Sequence, residues 1–228
     1  MKSRQLSVRF IIITLFAFVF LWALMTDAWG FSELLFPTMS GDWSKYLYGY
    51  ISRIIWVLPA LGLLRYYGNN GTYYDLKNLY TKLKLNRSFV LVILITTVYC
   101  FSLMLIVHRG FWLNPGVSII GVTIKFIIVG FVEETVFRGW GYNTLRQRIS
   151  DRDAMIVSSI LFVLLHWPAY FIKYALFGTF NFWGLINQSI LVFLLGMLFC
   201  YLFKKSSTLL NPIISHAFYD LFFTLFVT

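Results

Sequence analysis

The sequence predicts an all-α polytopic membrane protein of about seven transmembrane helices, with the N-terminus in the cytoplasm and the C-terminus outside. Three observations predict it. Hydrophobic residues make up 59% of the 228 positions and charged ones only 12%, against about 25% charged in a typical soluble protein. The apolar positions gather into runs close to the roughly 20 residues that cross a hydrocarbon core about 30 Å thick. Lys and Arg then alternate from one side of that layout to the other. Composition alone excludes a soluble enzyme, a disordered tail and a disulfide-stapled secreted domain, because 24 Phe, 14 Tyr and 8 Trp exceed what an interior of this size can hide. Cys100 and Cys200 both sit inside apolar runs, so neither a structural disulfide nor a Cys-based zinc site is expected.

The expected spans are Phe10–Met25, Leu47–Leu64, Phe89–Val107, Val117–Phe137, Ala154–Ile172, Trp183–Phe203 and Thr208–Val227. The first follows Lys2, Arg4 and Arg9 as a secretory signal would. Its apolar run is longer than an h-region, however, and Met25-Thr26-Asp27 is a poor cleavage site, so a retained helix is expected. The N-terminal tail and the second, fourth and sixth connections carry 14 Lys and Arg, including Arg65, Lys77, Arg146, Arg148 and Lys204. The opposite side carries three, Lys45, Arg109 and Lys173. By the positive-inside rule this sets the orientation. The formal charge of +10 is therefore mostly topology, and no nucleic-acid partner is expected.

The layout divides into an N-terminal region of three spans, residues 1–116, and a region of four spans, residues 117–228. Connection 65–88 is the longest on the cytoplasmic side. A turn is expected at Gly68-Asn69-Asn70-Gly71. Beyond it, Leu76, Leu79, Tyr80 and Leu83 recur at helical spacing beside Lys77, Lys82 and Lys84, which predicts a short amphipathic helix lying on the anionic leaflet. Arg53 and Lys125 fall within spans, where snorkelling or pairing inside the bundle is expected of them.

Six of the nine acids lie in loops or near span ends: Asp27, Glu33, Asp42, Asp75, Asp151 and Asp153. Glu133, Glu134, Asp220, His166 and His216 fall in apolar runs on three of the last four spans, where each costs several kcal/mol unless paired. His108 sits at a span edge and reads as interfacial. At about 1.5 Å of rise per residue, the three helices bring their groups to one layer in the cytoplasmic half of the bilayer. Glu134 and Arg138 are four residues apart and share a helix face, with Glu133 turned about 100° away. His216 and Asp220 repeat the spacing, as do Phe162 and His166, where the ring can wall one side of the imidazole. Pro212, shortly before His216, is expected to break or kink the last helix near the site.

These residues carry a resemblance. Glu133-Glu134-Thr135-Val136-Phe137-Arg138 fits an EExxxR motif, Phe162-Val163-Leu164-Leu165-His166 fits FxxxH, and His216-Ala217-Phe218-Tyr219-Asp220 fits HxxxN with Asp in the last place. In this order, on buried helices, the three resemble the signatures of the CPBP family of intramembrane proteases. That family includes the CAAX endopeptidase that trims prenylated proteins, and bacterial relatives linked to bacteriocin self-immunity and peptide-pheromone processing. The resemblance covers roughly residues 117–228. It implies peptide-bond hydrolysis inside the membrane, with a membrane-embedded or amphipathic peptide or protein as substrate and the lipid bilayer as setting.

No Ser–His or Cys–His pairing stands out, so water is the expected nucleophile. Glu133 is assigned as general base, with Glu134, held by Arg138, supporting it. His166 and His216 bind the oxyanion or a Zn²⁺ ion, and Asp220 orients His216 or joins the ligand set. Zinc is left open, since the sequence lacks HExxH. A bacterial plasma membrane is favoured by the compact chain, and an endoplasmic-reticulum membrane fits the same charge bias. Two other classes compete. A non-proteolytic scaffold for a signalling or transport partner would have no need to bury five titratable groups, and a proton-coupled transporter would show paired halves with broken helices.

Overall fold

The computed structural model describes residues 6–35, 42–178 and 180–228. Lys2 and Arg4 of the expected tail lie outside the described residues, as do the side chains of Asp27, Glu33, Asp42, Lys45, Asn69, Asn70 and Lys173. The helices are α1 (Val8–Leu35), α2 (Asp42–Gly71), α3 (Leu76–Leu79), α4 (Arg87–His108), α5 (Ile119–Glu134), a π-helical segment (Thr135–Tyr142), α6 (Asn143–Leu145), α7 (Asp151–Phe177), α8 (Phe182–Ser206) and α9 (Leu210–Phe226). No strand occurs among the described residues.

Five helices among the described residues, α1, α2, α4, α7 and α8, are long and apolar enough to cross a membrane. Their outer faces suit lipid rather than water: Ile13, Phe16 and Phe20 on α1 and Leu91, Leu94 and Val98 on α4 are large, apolar and exposed. The chain is an integral membrane protein of several spans. The other two expected spans correspond to shorter helices. α5 has 16 residues and α9 has 17, or about 24 and 26 Å of rise. α5 loses its regular ladder at Glu134, where the helix widens into the π segment, and α9 starts only after a tight reversal at Ser207, whose φ of 57° is left-handed. The two short helices carry most of the expected site.

Buried residues of α1 (Ile11, Leu15), α2 (Trp56, Leu64), the π segment (Val136, Trp140) and α7 (Leu161, Phe162) form a shared core. The Trp56 indole donates to the Phe18 carbonyl at 2.7 Å and the Trp140 indole to the Thr14 hydroxyl at 2.9 Å, so each buried ring satisfies its N–H. α5 and α9 approach closely at Gly130. A methyl there would stand 2.8 Å from the Ile213 carbonyl oxygen and 3.6 Å from His216 Cβ. Gly130→Ala is therefore expected to push α9 off α5, destabilise the fold by about 1–3 kcal/mol and displace His216. Thermal unfolding of the purified variant checks it.

Three local expectations need correction. Residues 68–71 form the end of α2 rather than a turn. Connection 65–88 holds a shorter helix than the leucine spacing predicts, packed on the protein. Between the end of α2 and the start of α4 only Leu76–Leu79 is helical, Leu79 is fully buried, and the strip is stitched to the bundle. The Leu79 carbonyl accepts from the Leu209 N–H at 2.7 Å. The Asn211 carboxamide accepts from the Lys84 N–H at 3.0 Å and donates to the Lys84 carbonyl at 2.6 Å. Tyr80 and Thr135 share a hydroxyl hydrogen bond of 2.6 Å. Burial pushes the Tyr80 phenol up to about 12, so it stays neutral and holds that bond at physiological pH. These backbone tethers outweigh the helical spacing of the leucines. Asn211→Ala should free the strip, and trypsin should then cut after Lys82 or Lys84 about thirtyfold faster than in the parent, given a pair of bonds near 1 kcal/mol each. Pro212, finally, does not kink α9. It lies in the first turn, where a helix has no use for its missing N–H.

Candidate active site

The π segment begins directly after Glu134, and the Thr135 N–H is shared between the Phe131 and Val132 carbonyls. π turns inside α-helices are often found at functional sites. Here the wider turn keeps Arg138 against Glu134 within the bundle. Arg138 Nη1 donates to Glu134 Oε1 at 3.0 Å, with both side chains fully buried. Arg138 Nη2 donates to the Gly196 carbonyl at 3.2 Å, and the guanidinium lies 4.3 Å over the Phe162 ring. Arg138 is fully buried in the bundle. α8 can come this close because position 196 is a glycine, where a methyl would meet the Ser159 side chain at 2.9 Å and Arg138 Nη2 at 3.3 Å.

Glu134 Oε1 accepts a second hydrogen bond, from His216 Nδ1 at 2.9 Å. A carboxylate already paired with Arg138 can only accept, so the Nδ1 proton is on His216. That turns His216 Nε2 toward two further carboxylates, Glu133 Oε2 at 3.8 Å and Asp220 Oδ2 at 3.6 Å. Phe199 stacks on the imidazole at 5.2 Å between centroids. Asp220 thus faces the outer nitrogen of His216, while Glu134 holds the inner one. Glu133 Oε2 is buried and makes no hydrogen bond among the described residues.

His166 shares no hydrogen bond with the other members of the group. Its Nδ1 lies 2.9 Å from the Phe162 carbonyl, which can only accept, so Nε2 is the nitrogen left for chemistry. Phe162 stands edge-on to His166 at 4.9 Å and to His216 at 6.0 Å, a wall to both imidazoles. His166, His216 and Asp220 line one cavity of about 520 Å³ between α4, α7, α8 and α9.

A zinc site does not fit this arrangement. Among the described residues no group of three or more His, Cys, Asp or Glu side chains could hold a metal ion. His216 Nδ1 is engaged by Glu134, and His166 stands apart from the carboxylates. Arg53 and Lys125 make local contacts within the bundle. Arg53 Nη1 donates to the Gly49 carbonyl at 2.9 Å with its guanidinium 5.3 Å over Trp22, and Lys125 Nζ lies 5.2 Å from the Phe126 ring.

Phe199, Gly130 and Gly196 escape a reading of the sequence, because an aromatic residue or a glycine in an apolar run carries no mark of what it packs against. Asn187 and Gln188 also line the cavity. Two adjacent carboxamides in an apolar run were the signal that could have found them.

A multi-span membrane protein that buries an Arg–Glu–His relay beside a free carboxylate oxygen and a cavity has the parts of an intramembrane hydrolase. Residues 115–222, a little under half of the chain, match the family described as Type II CAAX prenyl endopeptidase Rce1-like, in agreement with the CAAX protease family that the three motifs resemble. The family gives the chain a CAAX endopeptidase type of hydrolase domain in a membrane setting. Neither a curated protein nor a solved structure matches it.

Proposed function

We propose that this chain hydrolyses a peptide bond of a membrane-anchored or amphipathic peptide by water that Glu133 activates, in the cytoplasmic half of the bilayer. The observation that carries the reading is Glu133 Oε2, a buried acceptor without a hydrogen-bond partner among the described residues, 3.8 Å from His216 Nε2. That separation is too long for a direct hydrogen bond and suits a water molecule held between the two groups.

Glu133 takes a proton from this water as its oxygen attacks the scissile carbonyl carbon. His216, held by Glu134 and Arg138, offers a proton on Nε2 to the developing oxyanion, and His166 Nε2 faces the same space. Asp220 supports the His216 charge. Collapse of the tetrahedral intermediate breaks the C–N bond, and the proton on Glu133 passes to the leaving amine. Every proton is carried by the chain's own residues, and no step passes through a metal. The prenyl-endopeptidase family match supports a lipidated peptide as substrate, and the 520 Å³ cavity offers space for one. We assign catalysis to residues 117–228, with α1 and α2 packed around their core.

The test is cleavage of an S-farnesylated peptide by protein in lipid nanodiscs, with and without a zinc chelator. Cleavage at an unchanged rate in chelator is the expected result. Loss of cleavage that added zinc restores would replace this mechanism with a metal-dependent one.

A further inference from the structure

Two side chains on the α8 wall of the cavity take no part in the chemistry above. Asn187 and Gln188 line it together with His166, His216 and Asp220. Each carboxamide brings two N–H donors and one acceptor oxygen, and neither makes a hydrogen bond among the described residues. Two other polar residues of α8 and its cap are engaged. Ser189 donates to the Leu185 carbonyl at 2.7 Å and accepts from the Trp167 indole at 3.1 Å, and Asn181 caps α8 through the Gly184 N–H at 2.8 Å. Asn187 is exposed and Gln188 half-buried, so both carboxamides are open to a ligand that enters the cavity.

The chemistry that completes a carboxamide is another amide. Its donor and acceptor match those of a peptide unit, whereas a lipid chain offers neither. Length agrees. From Phe199, stacked on His216, back to Asn187, the wall runs about 18 Å along α8, the reach of about five residues of extended chain at roughly 3.3 Å each. Leu191 and Leu195 lie on this stretch and line the same cavity, giving the side chains of such a strand an apolar bed.

We infer that Asn187 and Gln188 are substrate-positioning residues that hydrogen-bond the backbone of an extended peptide several residues from the scissile bond. The inference rests on the hydrolytic reading for its direction and concerns binding alone. It makes recognition depend on backbone amides and tolerant of side-chain identity along this stretch.

Binding is measured on the Glu133→Gln protein in nanodiscs, so that cleavage plays no part. The probe is a fluorescein-labelled, S-farnesylated octapeptide, read by anisotropy. Asn187→Leu and Gln188→Leu, each checked for an unchanged unfolding temperature, should raise its Kd about 5- to 10-fold, the scale of one hydrogen bond, and Gln188→Asn should recover part of the loss. Scanning the peptide with single N-methyl groups should find a position where the parent binds about tenfold more weakly, and that penalty should vanish in one of the leucine variants. Leucine variants that bind the probe as tightly as their parent would overturn the inference, as would the absence of saturable binding. The hydrolytic reading fails separately, when the wild type binds the probe and leaves it uncut.

Discussion

Changing Glu133 to glutamine is expected to lower kcat for peptide cleavage by about 10³-fold, with KM and the unfolding temperature close to the parent's. The substitution keeps shape and burial and removes the ability to take a proton. Because Glu133 Oε2 makes no hydrogen bond among the described residues and stands 3.8 Å from His216 Nε2, the fold loses little with the charge, and the rate loss belongs to the transition state. The neighbouring carboxylate should behave differently. Glu134 accepts from both Arg138 and His216, so Glu134→Gln should lower activity and stability together. Steady-state kinetics beside thermal unfolding of the two variants separates the roles. Activity retained in Glu133→Gln and lost in Glu134→Gln without loss of stability would exchange them.

Removing Arg138 carries the largest expected effect on stability. Arg138→Ala leaves the Glu134 carboxylate fully buried with His216 as its remaining hydrogen-bond partner, frees the Gly196 carbonyl and empties the space over Phe162. Breaking a buried ion pair from one side costs about 3–5 kcal/mol, which in a chain of this length lowers the unfolding temperature by about 10 °C. Arg138→Met combined with Glu134→Leu should recover much of that stability, because the uncompensated charge is gone, and should remain inactive, because His216 has lost its anchor. A singly changed Arg138→Ala protein as stable as the parent would show that the pair does not hold the core.

The membrane class and the pairings within the candidate site were legible because they rest on local rules. Apolar runs report helices that face lipid, and spacings of four residues report the Glu134–Arg138 pair, the His216–Asp220 pair and the Phe162 wall beside His166. What stayed hidden was tertiary. That Glu134 would orient His216 depends on α5 and α9 meeting at Gly130, across 82 residues of chain. The π segment leaves no trace in the spans, since it straddles the end of the fourth apolar run at Phe137 and continues into the connection beyond it. Lys84 is tied down by Asn211, 127 residues away, which no periodicity reports, so the leucine spacing of 76–83 suggested a helix on the leaflet where the chain runs along the protein. Pro212 was misread for a related reason. Its effect depends on where α9 starts, and the reversal at Ser207 sets that start.

The central claim is that the carboxylate and imidazoles gathered around His216 cut a peptide bond within the membrane. Mass spectrometry of a farnesylated peptide incubated with wild-type protein and with Glu133→Gln, both in nanodiscs, tests it most directly. The account predicts one internal cut by the wild type, giving two fragments whose masses sum to the peptide plus one water, and an intact peptide with the variant. An intact peptide in both samples, or the same two fragments in both, would contradict it.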